Sequence, residues 1–160
     1  MTVNRRFPYQ TAFVACRGGC RADARCEYGC VACSLCVDVC RYDAISINAL
    51  GVAEVDAEKC TACSACVDEC PRELIRLRLK DEPVVVACAN RDSGKNARLY
   101  CEVSCIGCGR CEKVCPSGAA EVKENLARID ESLCLSCGQC AVNCPRGTIR
   151  DLRGILTAEP

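Results

Sequence analysis

Residues 30–40 read CVACSLCVDVC, and the same spacing, C-x2-C-x2-C-x3-C, returns at 60–70 (CTACSACVDEC), 105–115 (CIGCGRCEKVC) and 134–144 (CLSCGQCAVNC). Three of the runs continue into proline, at Pro71, Pro116 and Pro145, whereas the first continues into Arg41. Cysteines at i, i+3 and i+6 belong on a tight loop. Small residues among them, such as Ala32, Ser34, Ala62, Gly107, Gly109 and Gly138, let the backbone close round a bound group and turn its N–H groups inward. The fourth cysteine falls on the short helical turn that follows and points away, toward a partner motif. Proline ends that turn, since it has no N–H to contribute and cannot continue a helix.

This is the spacing of bacterial ferredoxins, in which the fourth cysteine ligates the other cluster of a pair. Zinc sites use paired C-x2-C steps rather than three cysteines in seven residues. A disulfide framework fits poorly with an odd count of 21 cysteines. Motif starts are 30, 45 and 29 residues apart, so the first two motifs pair and the last two pair. Crossed ligation then predicts four [4Fe-4S] clusters. Their ligands are Cys30, Cys33, Cys36 and Cys70; Cys60, Cys63, Cys66 and Cys40; Cys105, Cys108, Cys111 and Cys144; and Cys134, Cys137, Cys140 and Cys115. No motif position is replaced by another residue, so all four read as electron carriers and none as an open catalytic iron. The chain contains no histidine, which excludes a Rieske centre, and no residue reads as a catalytic acid, base or nucleophile.

The composition agrees. In 160 residues there are two Phe, four Tyr, one Met and no Trp, so the side chains that supply most buried area are nearly absent. Inorganic clusters are expected to take part of the core's place. The N-terminus lacks the apolar stretch of a secretory signal, and the run VVVACA at 84–89 is far short of the ~20 residues that span a bilayer. Both observations predict a soluble protein in a reducing cytoplasm, without direct membrane insertion. Formal charge is zero, but ligating thiolates would make the loaded protein acidic. Neither basic blocks nor stacking aromatics suggest a nucleic-acid partner.

Between the motifs, AISINALGVAEVD (44–56) and AAEVKENLARID (119–130) each read as two short strands round a turn. Arg76 and Arg78 alternate with apolar residues, as on a strand with one solvated face. The expected fold is α+β, a tandem duplication of a two-cluster bacterial ferredoxin unit with small β-hairpins and short helices round the clusters. Residues 1–82 form the first unit and 83–160 the second. The duplication extends upstream of the motifs: Cys16 aligns with Cys88, Cys26 with Cys101 and Cys30 with Cys105, at offsets of 72, 75 and 75, while Cys20 has no counterpart. Three readings of the five surplus cysteines stay open. Cys16, Cys26, Cys88 and Cys101 make a fifth cluster site; or Cys16, Cys20 and Cys26 form a set completed by Cys88, Cys101 or a partner chain; or all five are small packing residues. Ser93-Gly94-Lys95 reads as a turn, because the earlier glycine of a phosphate loop is missing.

The succession AFVACRGG, ARCEYGC, CVDVCRYDAI, VDAEKCTACSACVDECPRELI, VVVACANRDSGK and LARIDESLCLSCGQCAVNCP resembles the ferredoxin region of the B subunit of Rnf-type electron-transport complexes, from about residue 12 to residue 150. The resemblance implies a relay subunit that exchanges electrons with ferredoxin and with flavin- or NAD-handling oxidoreductase subunits, on the cytoplasmic face of a membrane complex. The family's N-terminal membrane helix and extra cluster domain have no counterpart in this sequence, and Arg41 stands where the family has proline. A freestanding diffusible polyferredoxin and an iron–sulfur redox or oxygen sensor are the alternatives.

Overall fold

The computed structural model describes residues 9–21 and 26–153. Two compact units emerge: the described part of Met1–Ala15 with Cys30–Asp81, and Cys16–Gly29 with the described part of Glu82–Pro160. Residues 16–29 thus group with the second unit, although they precede the first motif.

In the first unit, β1 (Gln10–Val14) pairs antiparallel with β4 (Ile75–Leu79), from Gln10 opposite Leu79 to Val14 opposite Ile75. Between them lie α1 (Leu35–Asp38), a hairpin of β2 (Ile45–Ile47) and β3 (Ala53–Val55), and α2 (Ala65–Glu69), which packs against α1. The hairpin turns at Asn48, whose Oδ1 accepts the N–H groups of Leu50 (3.0 Å) and Val52 (3.2 Å), with Gly51 at φ 70°. An Asn side chain that mimics a turn's backbone, followed by a residue free to take positive φ, fixes this bend locally.

The second unit repeats the plan. Strand β5 (Val84–Val86) pairs antiparallel with β8 (Ile149–Asp151). They enclose α3 (Gly94–Tyr100), α4 (Arg110–Val114), the hairpin β6 (Ala120–Lys123)–β7 (Leu126–Ile129), and α5 (Gln139–Val142), which packs on α4. Glu124 and Asn125 both have positive φ, 50° and 61°, as a two-residue turn matched to strand twist requires. Ser93 caps α3, its Oγ accepting the Asn96 N–H at 3.5 Å, so Ser93-Gly94-Lys95 opens a helix rather than standing as an isolated turn. α3 has no counterpart among the described residues of the first unit.

Small residues make the cores. Val84, Val86, Ala120, Ala127, Ala141 and Ile149 are buried together with Cys105, Cys111 and Cys140 in the second unit. In the first, Ala12, Val14, Ile45, Ala53, Leu74 and Ile75 are buried with Cys36, Cys60 and Cys66. No buried aromatic side chain occurs among the described residues. No helix among them is long and apolar enough to cross a membrane.

One expectation needs correcting. Arg76 is exposed, with its guanidinium 5.7 Å from the centroid of the Phe13 ring, but Arg78 is buried at 8% exposure and donates from Nη1 to the carbonyl of Leu79 at 2.9 Å. β1 is the cause: it covers this strand and sets Arg78 directly opposite the buried Thr11.

Candidate metal centres

Each motif adopts one backbone plan. The second residue after the first cysteine and the residue after the second cysteine have positive φ: Ala32 (52°) and Ser34 (63°), Ala62 (54°) and Ser64 (67°), Gly107 (62°) and Gly109 (68°), Ser136 (52°) and Gly138 (72°). Alternation of left- and right-handed residues turns successive N–H groups to one side and makes an anion-binding hollow. Ala, Ser and Gly carry the smallest side chains into that conformation. The left-handed residue before each helix then starts α1, α2, α4 or α5, and the third cysteine of every motif lies on that helix.

Exposure follows position. The second cysteines, Cys33, Cys63, Cys108 and Cys137, are all exposed; the third, Cys36, Cys66, Cys111 and Cys140, are all buried; the fourth, Cys40, Cys70, Cys115 and Cys144, are all half-buried. After the fourth cysteine the chain turns, with Glu73, Gly118 and Gly147 donating their N–H groups back to the carbonyls of Cys70 (3.0 Å), Cys115 (3.4 Å) and Cys144 (3.2 Å). Pro71, Pro116 and Pro145 stand second in these turns, where a fixed φ suits. Asp43 after Cys40 has the same positive φ, 49°, as Glu73, Gly118 and Gly147, so Arg41 leaves this bend intact.

Cysteines of different motifs meet. Cys30, Cys33, Cys36 and Cys70 border one hollow, alongside the apolar side chains of Val14, Ile47 and Ile75. A second is bordered by Cys60, Cys63, Cys66 and Cys40. A third is bordered by Cys105, Cys108, Cys111 and Cys144. Around Cys140, Cys134 and Cys115 stand close enough to disfavour its ionisation. Yet no group of three or more Cys, Asp or Glu side chains among the described residues closes round a single metal ion. Four thiols spread over the walls of an apolar hollow suit a polynuclear cluster.

Electrostatics point the same way. Burial pushes the thiols of Cys66, Cys111 and Cys140 up to about 11, and neighbouring cysteines of the same set push further. Cys60 is the contrast: burial raises it, but the N–H groups of Ala12 and Ala62, the Thr11 hydroxyl and Lys80 outweigh that and hold it below the ordinary thiol value. Its Sγ accepts the Ala12 N–H at 3.3 Å, and Cys105 Sγ accepts the Ala127 N–H at 3.4 Å. Donors aimed at sulfur stabilise thiolate and tune a bound cluster. Four crowded thiols therefore become stable as thiolates when a cationic iron core shares their charge.

The surplus cysteines all belong to the second unit. Cys88 Sγ accepts the N–H groups of Asn90 and Cys105, both at 3.4 Å, and packs on the core of the second unit. Cys26 stands close enough to Cys88 to disfavour its ionisation, and Asn90 donates to both sulfurs, while Cys20 pairs with Cys101 across an isolated antiparallel bridge in the same unit. The repeat gives no partner for Cys20; the reading that joins Cys16, Cys20 and Cys26 with one further cysteine allows Cys101 without choosing it.

A family of 4Fe-4S dicluster domains matches residues 29–74 and 104–148, and a second family of the same description matches 59–121. The chain is 41% identical over 112 residues to the B subunit of an ion-translocating oxidoreductase complex of Methanosarcina acetivorans, covering 70% of this chain and 42% of that one. It is 44% identical over 105 residues to the B subunit of a Na(+)-translocating ferredoxin:NAD(+) oxidoreductase complex of Acetobacterium woodii, covering 66% and 32%. To the B subunit of the proton-translocating ferredoxin:NAD(+) oxidoreductase complex of Clostridium ljungdahlii it is 38% identical over 108 residues, covering 68% and 38%. The chain thus spans less than half the length of these curated relatives.

Proposed function

The chain belongs to the 4Fe-4S dicluster domain family, and from that premise we propose that it holds four [4Fe-4S] clusters and relays single electrons as one component of a ferredoxin-linked oxidoreductase complex of the Rnf type. The observation that carries the reading is the mixed parentage of the cavities: three cysteines of one motif and the fourth of its partner border one hollow in each of three cases. The fourth set is Cys134, Cys137, Cys140 and Cys115. A bound [4Fe-4S] cluster takes up and gives up one electron at a time. The protein's part is to hold thiolates, to exclude water and to leave one edge of each site accessible. The buried third cysteine anchors each set, and the exposed second cysteine brings its solvent edge within reach of a redox partner.

Likeness to three relatives named as B subunits of ion-translocating or ferredoxin:NAD(+) oxidoreductase complexes supports placement in such a complex. Ferredoxin and flavin- or NAD-handling subunits as partners, at the cytoplasmic face of a membrane assembly, are part of the proposal. The domains of this reading are two dicluster units, residues 1–82 and 83–160, with 16–29 grouped with the second. Anaerobic reconstitution followed by iron, acid-labile sulfide and EPR analysis tests it. Four cubanes bring about sixteen irons and as many sulfides. Cys40→Ala is expected to remove the cluster whose other ligands come from motif two, leaving that of Cys30, Cys33, Cys36 and Cys70 intact. A chain that binds zinc and no sulfide overturns the proposal. Isolation from its native host with flavin- or NAD-handling subunits supports the role within a complex, and recovery only as an electron-active monomer refutes it.

A further inference from the structure

Four of the five thiols outside the motifs are drawn together by two separate features of the second unit. Cys20 faces Cys101 across their bridge, which is flanked by hydrogen bonds from Glu102 N to Gly19 O (2.9 Å) and from Arg21 N to Tyr100 O (3.0 Å). Bonds on the flanking residues define a non-hydrogen-bonded antiparallel pair, whose side chains leave the same face from Cα atoms about 4.5 Å apart. Cys16 and Cys26 meet at Gly29: a Cβ built there would lie 3.4 Å from Cys26 Cβ and 3.9 Å from Cys16 Sγ. The two pairs lie within electrostatic range of each other. Beyond the effect of burial, Cys101 feels the charge of Cys20, Cys26 and Cys16, and Cys26 that of Cys20 and Cys16.

Asn90 supplies an independent sign of a ligand. Its side chain is buried at 1% exposure, its Oδ1 accepts the Asp92 N–H at 2.7 Å, and its Nδ2 donates to Cys26 Sγ at 3.3 Å. A neutral thiol is a weak acceptor for an amide sequestered from water; a thiolate ligand makes a charge-assisted bond of about twice the ordinary strength. Ala12 and Ala127 present their N–H groups to Cys60 and Cys105 in the same manner.

We infer that Cys16, Cys20, Cys26 and Cys101 ligate a fifth iron–sulfur cluster, with Asn90 as the hydrogen-bond donor to its Cys26 ligand. The duplication by itself would have chosen Cys88, the counterpart of Cys16. Cys88 instead accepts its N–H bonds beside Cys105, and Cys20, the cysteine without a repeat partner, takes the fourth position. Each thiol gives up its proton on ligation.

The inference shares with the proposed function only the chemistry of cluster assembly, and the test separates the two. The full chain is reconstituted anaerobically with ferrous iron and sulfide, and iron, sulfide and zinc are counted beside Mössbauer spectra and far-UV circular dichroism. Cys20 is exposed, so Cys20→Ser is expected to keep the dichroism of the parent. It should lose about four irons and four sulfides from a total of about twenty, or about two of each if the cluster is binuclear; either loss supports the site. Cys88→Ser should leave the count unchanged, and Asn90→Leu should shift the spectrum of the fifth component alone. The inference is overturned if Cys20→Ser retains the full parental count, if the parent holds one zinc that Cys20→Ser releases, or if anaerobically purified parent carries a Cys20–Cys101 disulfide. A total near sixteen that ignores Cys20→Ser fails this inference and leaves the proposed function standing. A total near zero fails both.

Discussion

At the scale of single residues, the second and fourth positions after the opening cysteine of each motif decide whether the loop closes. Small side chains there are legible in the sequence, but the sign of φ is not, because Ala and Ser take it at some of these sites and Gly at the others. The distinction is testable in motif three. At Gly109 (φ 68°) an added Cβ meets only Glu112 Oε2, at 3.8 Å, so Gly109→Ala carries backbone strain alone, roughly 1–2 kcal/mol. At Gly107 (φ 62°) the same Cβ would stand 3.0 Å from Asn125 Cα and 3.1 Å from its carbonyl, against the turn of the β6–β7 hairpin. Gly107→Ala is therefore expected to lower the thermal midpoint more than Gly109→Ala, measured on anaerobic reconstituted protein; equal effects would count against the packing of this loop on the hairpin. Thr11 offers a second residue-level test. Its hydroxyl helps hold the Cys60 thiol below its ordinary value. Thr11→Val removes that donor and should make the cluster bound there harder to reduce, with a potential more negative on the order of tens of mV, where 59 mV is tenfold for one electron. Protein-film voltammetry reads the shift.

Elements explain why hairpins were foreseeable and the leader strands' partners were not. AISINALGVAEVD and AAEVKENLARID carry strand, turn and strand within thirteen and twelve residues, and local rules fix them as β2–β3 and β6–β7. The pairing of β1 with β4, and of β5 with β8, joins residues more than sixty apart, where no local pattern speaks. That is why Arg78 reads as solvated in isolation and is buried once β1 lies beside it. β8 ends in a comparable case. The Asp151 side chain is fully buried, and its Oδ1 accepts the Arg153 backbone N–H at 3.0 Å and Arg153 Nε at 3.2 Å. Asp151→Ala withdraws a charged acceptor and leaves donors behind, which costs about 1–3 kcal/mol. A denaturant titration should show that loss in the second unit, and Arg153→Lys, which keeps the charge and the backbone donor, should by itself cost much less.

On the scale of the whole molecule, the tandem dicluster plan was readable because the spacing of the four cysteine motifs is a sequence property. The grouping of residues 16–29 with the second unit was not, since it depends on tertiary contacts. Cores this poor in large side chains should depend on their clusters, so chelation of iron is expected to abolish cooperative unfolding or lower its midpoint sharply. The stripped chain should also weaken in alkali. Burial and neighbouring thiols push Cys66, Cys111 and Cys140 up to about 11 in the folded chain, above the ordinary value of 9.0, so stability is at its full value below pH 9, where both states are protonated, and falls as pH rises from 9 through 11, where the unfolded chain releases protons that the folded chain keeps. Urea midpoints of stripped protein at pH 8 and pH 11 check the direction. Partner choice is decided at this scale too. Although formal charge sums to zero, Arg98, Arg110, Lys113 and Arg146 ring the cleft beside exposed Cys108, with no acidic residue on its wall. A basic rim at a solvent-facing ligand suits an acidic electron donor such as a ferredoxin, with association accelerated by the local field and screened over about 10 Å at 0.1 M salt. Arg146 also donates to the Cys101 carbonyl at 2.6 Å, so the reversal is best placed at exposed Arg110 and Lys113. Arg110→Glu with Lys113→Glu should slow second-order reduction by an acidic ferredoxin about tenfold at low ionic strength, leave the iron count unaltered, and flatten the salt dependence seen in the parent. Stopped-flow rates across a salt series decide the matter, and a parental rate indifferent to salt would place electron entry at another of the exposed cysteines.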